Sequence, residues 1–298
     1  MPELPEVESL RRSLVPHVVG QTIQSVEVHK PKLVSSKGTI RRPSSSKKKK
    51  FERGLTQETI KQIDRKAKNL IIHFESGKVL LIHLKMTGQL VYQEDGERLA
   101  LGGHPIEVSE HELPNKHSHI IFELERGTLF YNDVRMFGYL LLYDSWDDLA
   151  AEQHFDNLGV DPLAEEFTLE HFRNGLKDRK AKLKTVLMNQ EVVTGLGNIY
   201  ADEDCFAAGV RPDRACNSLS DEELAKLHAE IQRIIQTAVE QGGSSVANYI
   251  MADGSRGTYA REHKVYGRGG KECLVCGNQL AKTTMNNRTT VLCLHCQQ

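Results

Sequence analysis

The chain opens on an amphipathic pattern in which Leu10, Leu14 and Val15 recur at helical spacing behind Met1-Pro2-Glu3-Leu4-Pro5-Glu6-Val7-Glu8. Pro5 suits the start of a helix, and Glu6 and Glu8 in its first turn complement the helix dipole, so a leading helix is predicted. Residues 22–29 alternate as a strand does. Periodicity then disappears over residues 31–57, where Ser44, Ser45 and Ser46 precede four lysines at 47–50, and this stretch reads as a loop or a disordered insert. β-rich runs return at 69–74 and 78–84, joined at Glu75-Ser76-Gly77 as a hairpin. A second hairpin is predicted at 119–124 and 128–131 about Arg126-Gly127, and 139–143 adds a strand. Short strands without helices between them predict an antiparallel sandwich or barrel.

Beyond Asp144 the texture changes. A linker starting at Trp146 leads to helical segments at 169–176, 182–188, 199–207 and 221–240. Between two of them lies Thr194-Gly195-Leu196-Gly197-Asn198, whose glycines permit a tight backbone path and whose Asn198 is a natural helix cap. Such a helix start, with free amides, suits an anion. The expected division is a mostly β domain over 1–143, a helical domain over 144–260 and a small third piece over 261–298.

Composition changes this picture little. With 298 residues, 39% hydrophobic and 27% charged, the chain can bury two cores, and no apolar run approaches the length of a membrane span. The start lacks the order of a secretory leader, so a cytoplasmic protein without membrane association is expected. The net charge of −1 conceals a segregation. Residues 30–50 hold nine Lys or Arg and no acid, whereas 144–170 hold nine acids and no Lys or Arg. A basic face backed by an acidic one fits nucleic-acid binding, and equally a solvated surface.

Candidate chemistry sits at both ends. Methionine before proline is commonly trimmed, which would leave Pro2 as a free secondary amine. An α-amino group titrates near ~7.7–8.0, so part of it is neutral at physiological pH. Such an amine can attack a sugar carbon or an aldehyde and form an iminium, with Glu3 and Glu6 as proton donor, shuttle or electrostatic partner. The same residues also make an ordinary capped helix, and the stretch alone does not separate the two readings. At the far end, Cys273-x2-Cys276 and Cys293-x2-Cys296, sixteen residues apart, have the spacing of a four-cysteine zinc ribbon. Four thiolates leave no open position, so one structural zinc is expected in preference to disulfides. Cys205 and Cys216 are left over, and Asn286-Asn287-Arg288 reads as a hairpin tip presenting Arg288, a device for contacting DNA.

Several segments resemble the bacterial formamidopyrimidine-DNA glycosylases. They are the opening eight residues, Arg65-Lys66-Ala67-Lys68, His83-Leu84-Lys85-Met86-Thr87-Gly88, Asn132-Asp133-Val134-Arg135-Met136-Phe137-Gly138, Gly195-Leu196-Gly197-Asn198-Ile199-Tyr200-Ala201, Val265-Tyr266-Gly267-Arg268 and the four-cysteine finger. The resemblance runs through the chain in order, with residues 31–57 outside it, and Leu4 looks like the oxidised-purine branch of the family. It implies an α+β multidomain fold: a β-sandwich with a leading helix, a helix-two-turn-helix domain and a zinc finger. It implies a monomer acting on damaged double-stranded DNA as a bifunctional glycosylase and β,δ-elimination lyase in base excision repair, excising 8-oxoguanine and formamidopyrimidines. Pro2 would form the Schiff base, Glu3 would donate the proton and Glu6 would support them. Lys68 would contact phosphate and assist β-elimination, and Arg288 would serve δ-elimination and phosphate grip. His117, Arg135, Arg179 and Asn198 would contact DNA. Met86, Arg135 and Phe137 would fill the gap left by an extruded base, a vacancy that costs a few kcal/mol when unfilled. Residues 252–259, ending in Gly257, Thr258 and Tyr259, would cap the lesion. Val134 and Met136 stand where Pro and Arg are common, and Lys85 where glycine is frequent. Two alternatives remain: an oxidised-pyrimidine glycosylase of the endonuclease VIII type, and a zinc-dependent DNA-binding protein without catalysis.

Overall fold

The computed structural model describes residues 1–35, 37, 42–103, 113–244 and 258–298. They form two compact units, one of residues 1–154 with 242–257 and one of 155–241 with 258–298.

The first unit begins with α1, Leu4–Val18, entered through a capping box: the Glu3 side chain accepts from the Glu6 amide, and the Glu6 side chain accepts from the Glu3 amide. Its Leu4, Val7, Leu10, Leu14 and Val18 are buried on one face. Among the described residues, nine strands follow as two antiparallel sheets. One has the order β1-β7-β8-β5-β6, formed by Ile23–Val28, Ser118–Leu124, Thr128–Asp133, Gly88–Glu94 and Glu97–Gly103. The other has the order β2-β3-β4-β9, formed by Ile60–Lys66, Asn69–Phe74, Val79–His83 and Tyr139–Tyr143. Side chains of both sheets and of α1 share a single apolar cluster, so the architecture is the expected sandwich. The helix lies so near β6 that a Cβ on Gly102 would meet the Leu10 side chain at 2.7 Å.

Residues 31–57 correct the sequence reading. In place of a loop, Lys32–Ser35 form the short helix α2 and Ser45–Leu55 form α3, N-capped by the Ser44 side chain. Phe51 and Leu55, one turn apart, are buried in the sandwich core, and Phe51 lies against Phe122 with ring centroids 6.5 Å apart. The lysines are the solvent side of this helix. Lys47 donates to the Ser35 carbonyl at 2.9 Å, Lys48 pairs with Glu52, and Lys50 reaches Asp144 at 3.4 Å. Strands β2, β5 and β6 and the helix α4, Trp146–Ala151, also went unread in the sequence.

The second unit holds α5 (Leu169–Leu176), α6 (Leu183–Leu187), α7 (Asn198–Ala208) and α8 (Asp221–Glu240), close to the predicted bounds. It ends in the hairpin of β10 (Ala281–Met285) and β11 (Arg288–Leu292). The helix α8 starts with a second capping box, Ser220 with Glu223. Gly197, not Asn198, is the residue that caps α7; Asn198 is the first helical position. Among the described residues, no helix is long and apolar enough to cross a membrane.

Candidate active site and zinc centre

At the start of α1, Pro2 is buried and Glu3 and Glu6 are 3% and 2% exposed. Both oxygens of Glu6 are occupied: Oε2 accepts from the Glu3 amide at 2.8 Å and Oε1 from the Ser244 amide at 2.6 Å. Gly243, with φ +85°, approaches so closely that a Cβ there would meet the Glu6 carboxylate oxygen at 2.7 Å. A carboxylate bonded in this way is fixed in orientation and holds its neighbours in place. Lys68 is the second residue of the two-residue turn between β2 and β3, where Lys66 pairs with Asn69, and it is also buried. Ala67 before it has φ +55°, a left-handed conformation that most residues avoid.

Four further residues expected to contact DNA or fill the stack, Met86, His117, Arg135 and Phe137, lie in segments that meet at a carboxylate residue for which the sequence suggested no role. Asp133 ends β8, is fully buried and receives four donors. Its Oδ1 accepts from the Thr87 hydroxyl and from the Arg135 amide at 3.2 Å, and its Oδ2 from the Gly138 amide at 2.8 Å and the Tyr131 hydroxyl at 3.3 Å. The Asp133 amide donates to the His117 carbonyl at 3.0 Å, and His119 Nε2 meets the Asp133 carbonyl at 2.8 Å. Burial holds the His119 imidazole below its ordinary titration range, so it stays neutral and donates. One residue thus ties together the Met86-Thr87 turn and the Arg135 to Phe137 turn through its carboxylate, and the His117 loop through its backbone amide. Phe137 is exposed, and the Arg135 guanidinium lies 4.6 Å from its ring centroid, so cation and ring stand as a stacked pair facing solvent. Lys85 and Met136, where the sequence departs from the family pattern, both take left-handed backbone, at φ +51° and +54°.

In the second unit, Gln190 staples the turn before α7, its Oε1 accepting from the Gly195 amide at 2.9 Å and its Nε2 donating to the Leu196 carbonyl at 2.9 Å. Asn198 Oδ1 is buried at the helix start with no hydrogen bond among the described residues, a polar atom short of a donor. Arg179 lies just past α5, exposed, with Nε donating to the Gly175 carbonyl at 2.8 Å. Thr258 is exposed, but Tyr259 is buried between Tyr200 and His263, each with ring centroids 5.9 Å from it. Gly257 and the preceding residues 252–256 of the expected capping loop lie outside the described residues.

The hairpin of β10 and β11 turns at Asn286 and Asn287, both at positive φ as a two-residue turn of this kind requires, and Arg288 follows, exposed. Asn286 Nδ2 donates to the Thr185 hydroxyl on α6 at 2.8 Å. Beneath it lies a buried ion pair, Lys184 with Asp202, 2.8 Å apart. Lys184 also donates to the Thr289 carbonyl and Thr290 hydroxyl, both at 2.9 Å, and Asp202 accepts the Val291 amide at 3.1 Å. Burial pushes the Asp202 carboxyl up to about 6 despite Lys184, the sign of a charge held by few partners in a dry site. Glu203 accepts the backbone amides of Lys264, Val265 and Tyr266, which explains why the Val265-Tyr266-Gly267-Arg268 segment has a set course.

The sulfurs of Cys273, Cys276, Cys293 and Cys296 all lie within 4.8 Å of one another, with Cys273 to Cys296 at 3.9 Å and Cys276 to Cys293 at 3.4 Å. A tetrahedron with metal–sulfur bonds of about 2.3 Å has sulfur edges of about 3.8 Å, so the cluster fits one zinc ion with no position open for substrate. The Asn278 backbone amide holds the Cys276 thiol down at about 6, while burial pushes Cys296 up; the first proton lost belongs to the cluster as a whole. Cys205 and Cys216 are buried and stand apart from this cluster.

Residues 1–140 match the Formamidopyrimidine-DNA glycosylase N-terminal domain, 158–249 the Formamidopyrimidine-DNA glycosylase H2TH domain and 270–298 the zinc finger found in FPG and IleRS. A Bacillus subtilis protein named Formamidopyrimidine-DNA glycosylase is 40% identical over 100% of this chain and 99% of its own length. One of the same name from Heliobacterium modesticaldum is 36% identical over 100% of both. Among solved structures, a Lactococcus lactis FPG mutant in complex with a Fapy-dG containing DNA is similar, with TM-score 0.83 and 33% identity over 100% of both chains. The Lactococcus lactis Fpg complexed with abasic site containing DNA has TM-score 0.83 at 33% identity over 99% of each.

Proposed function

The chain belongs to the formamidopyrimidine-DNA glycosylase family, and from that premise we propose that it is a bifunctional DNA glycosylase and abasic-site lyase that removes oxidised purines from damaged DNA. The observation that carries this reading is the arrangement at the head of α1, where Pro2 is buried beside two carboxylates and one of them, Glu6, has both oxygens occupied by backbone amides.

With Met1 removed, the Pro2 nitrogen is a secondary amine that attacks C1′ of the damaged nucleotide as the base departs. The Glu3 carboxyl gives its proton as the sugar ring opens, and Glu6 keeps the helix start in register with the 242–244 segment. The iminium that forms acidifies the C2′ protons, so strand scission follows by elimination. Lys68, held in the β2 to β3 turn, serves the phosphate and the elimination step. Met86, Arg135 and Phe137 fill the vacated stack as an apolar filler, a hydrogen-bonding cation and a ring. His117, Arg179 and the amide-rich start of α7 at Asn198 take DNA phosphates, with Thr258 at the base of the lesion loop. Arg288 at the finger tip supplies a further cation. Zinc bound by the four cysteines supplies the fold of that finger and no chemistry.

A nicking assay across duplexes bearing single lesions tests the substrate. Cleavage is expected at 8-oxoguanine and formamidopyrimidine sites ahead of oxidised pyrimidines; the reverse order would move the chain to the endonuclease VIII type of activity, and binding without any cleavage would make it a DNA-binding protein alone.

A further inference from the structure

Glu8 takes no part in the chemistry proposed above, yet it is bound by three arginines. Its side chain is 8% exposed. Oε1 accepts from Arg11 Nη2 at 2.8 Å and Arg12 Nε at 2.9 Å, and Oε2 from Arg11 Nε at 3.0 Å and Arg65 Nε at 3.1 Å. Arg65 is as buried as Glu8 and passes the contact on, its Nη1 donating to the Ala67 carbonyl at 3.0 Å. Ala67 is the left-handed residue of the two-residue turn, and Lys68 is the next residue. Arg11 adds a parallel tie from α1 to β2 through the Ile63 carbonyl at 3.3 Å. The helix that presents Pro2 and Glu3 at its start is therefore bonded, through two side chains, to the turn that presents Lys68.

We propose that Glu8, acting through Arg65 and the Ala67 carbonyl, is a positioning residue that sets where Lys68 stands relative to Pro2 and Glu3. This rests on the reading of Lys68 as a participant in elimination. A helix and a hairpin turn can each be well formed and still slide past one another, and a misplacement of about 1 Å at a reacting group can cost on the order of a hundredfold in rate. A buried carboxylate with four charge-assisted bonds resists such sliding. Its ionised state is secure: burial works against it, but Arg11, Arg12 and Arg65 outweigh that and hold the Glu8 carboxyl at about 2.

The test uses the full zinc-loaded chain and single-turnover strand scission at a preformed abasic site. Glu8→Gln and Arg65→Gln are expected to slow scission by roughly tenfold or more with little change in KM. Arg12→Gln removes a bond to Glu8 that does not lead to Lys68, and should leave the rate within about twofold. In a Lys68→Ala background Glu8→Gln should add no further loss, because both act through one side chain. Should Glu8→Gln fail to fold, Arg65→Lys keeps a cation beside Glu8 while giving up the second bond to Ala67, and the same comparison applies to it. Equal losses from Glu8→Gln with and without Lys68 would overturn the positioning role alone. An unchanged rate in Lys68→Ala would instead overturn the role of Lys68, and this proposal with it.

Discussion

At the residue scale, two neighbouring carboxylates are given unlike tasks by the donors around them. Glu6 accepts a backbone amide on each oxygen, whereas Glu3 caps the helix by accepting the Glu6 amide and stands next to Pro2. Glu3→Gln is therefore expected to bind damaged duplex with near-normal affinity and to release base on the order of a hundredfold more slowly, measured by single-turnover kinetics beside a binding titration. Glu8 gives a pH signature. Its folded carboxyl lies at about 2, below the ordinary value of 4.5, so the stability it contributes is present above pH ~4.5 and is lost as pH falls through ~2. Denaturant melts of the wild type and Glu8→Gln should differ at neutral pH and converge across that window; a gap that persists at pH 2 would contradict the assignment. Pro2, Glu3 and the cysteines were legible in the sequence as candidates through their type and immediate neighbours, and Lys68 only through the resemblance of its segment to the family. Asp133 was not, since its four donors come from Thr87, Tyr131, Arg135 and Gly138, and only the folded chain brings these to one carboxylate.

At the element scale, the helices of the second unit lie close to the expected bounds; α5 and α8 carry a one-sided apolar stripe, whereas α6 is five residues long and α7 is buried on nearly all sides. Hydrophobic periodicity missed α3, whose buried face is only Phe51 and Leu55 behind a run of lysines, so composition masked amphipathicity. It missed β5 and β6, where consecutive residues, Leu90 to Tyr92 and Ala100 to Gly103, are buried and the in-and-out alternation that marks a strand is lost. Phe51→Ala offers the direct check on α3. Truncating a core ring typically costs about 3–5 kcal/mol, so a large drop in the urea midpoint is expected, where a disordered insert would show no change. The finger hairpin depends on its metal in the same sense. One zinc per chain is expected by elemental analysis, and Cys296→Ser should lose it and bind DNA roughly tenfold or more weakly, since metal binding and the folding of the finger are one equilibrium. A metal-free wild type would contradict the cluster geometry.

At the scale of the whole molecule, net charge near zero gives no sign of a DNA partner, and in composition the segregation of lysines from acids along the chain is what points to one. The groups proposed to act on DNA fall in both units: Pro2, Glu3, Lys68 and the segments around Asp133 in the first, and Asn198, Arg179 and Arg288 in the second. Most of these groups stand beside a buried or half-buried polar anchor, Glu6 with Ser244, Glu8 with Arg65, Asp133, Gln190, and Lys184 with Asp202. These anchors are spread too far along the sequence to be paired by reading it. The central claim is that the nucleophile is the amino group of Pro2. Borohydride added during turnover should reduce the iminium and leave a covalent protein–DNA adduct, and mass mapping of the digested adduct should place the modification on the amino-terminal proline, with no adduct formed by protein that retains Met1. An adduct that maps to Lys68, or one that forms equally well with Met1 in place, would contradict it.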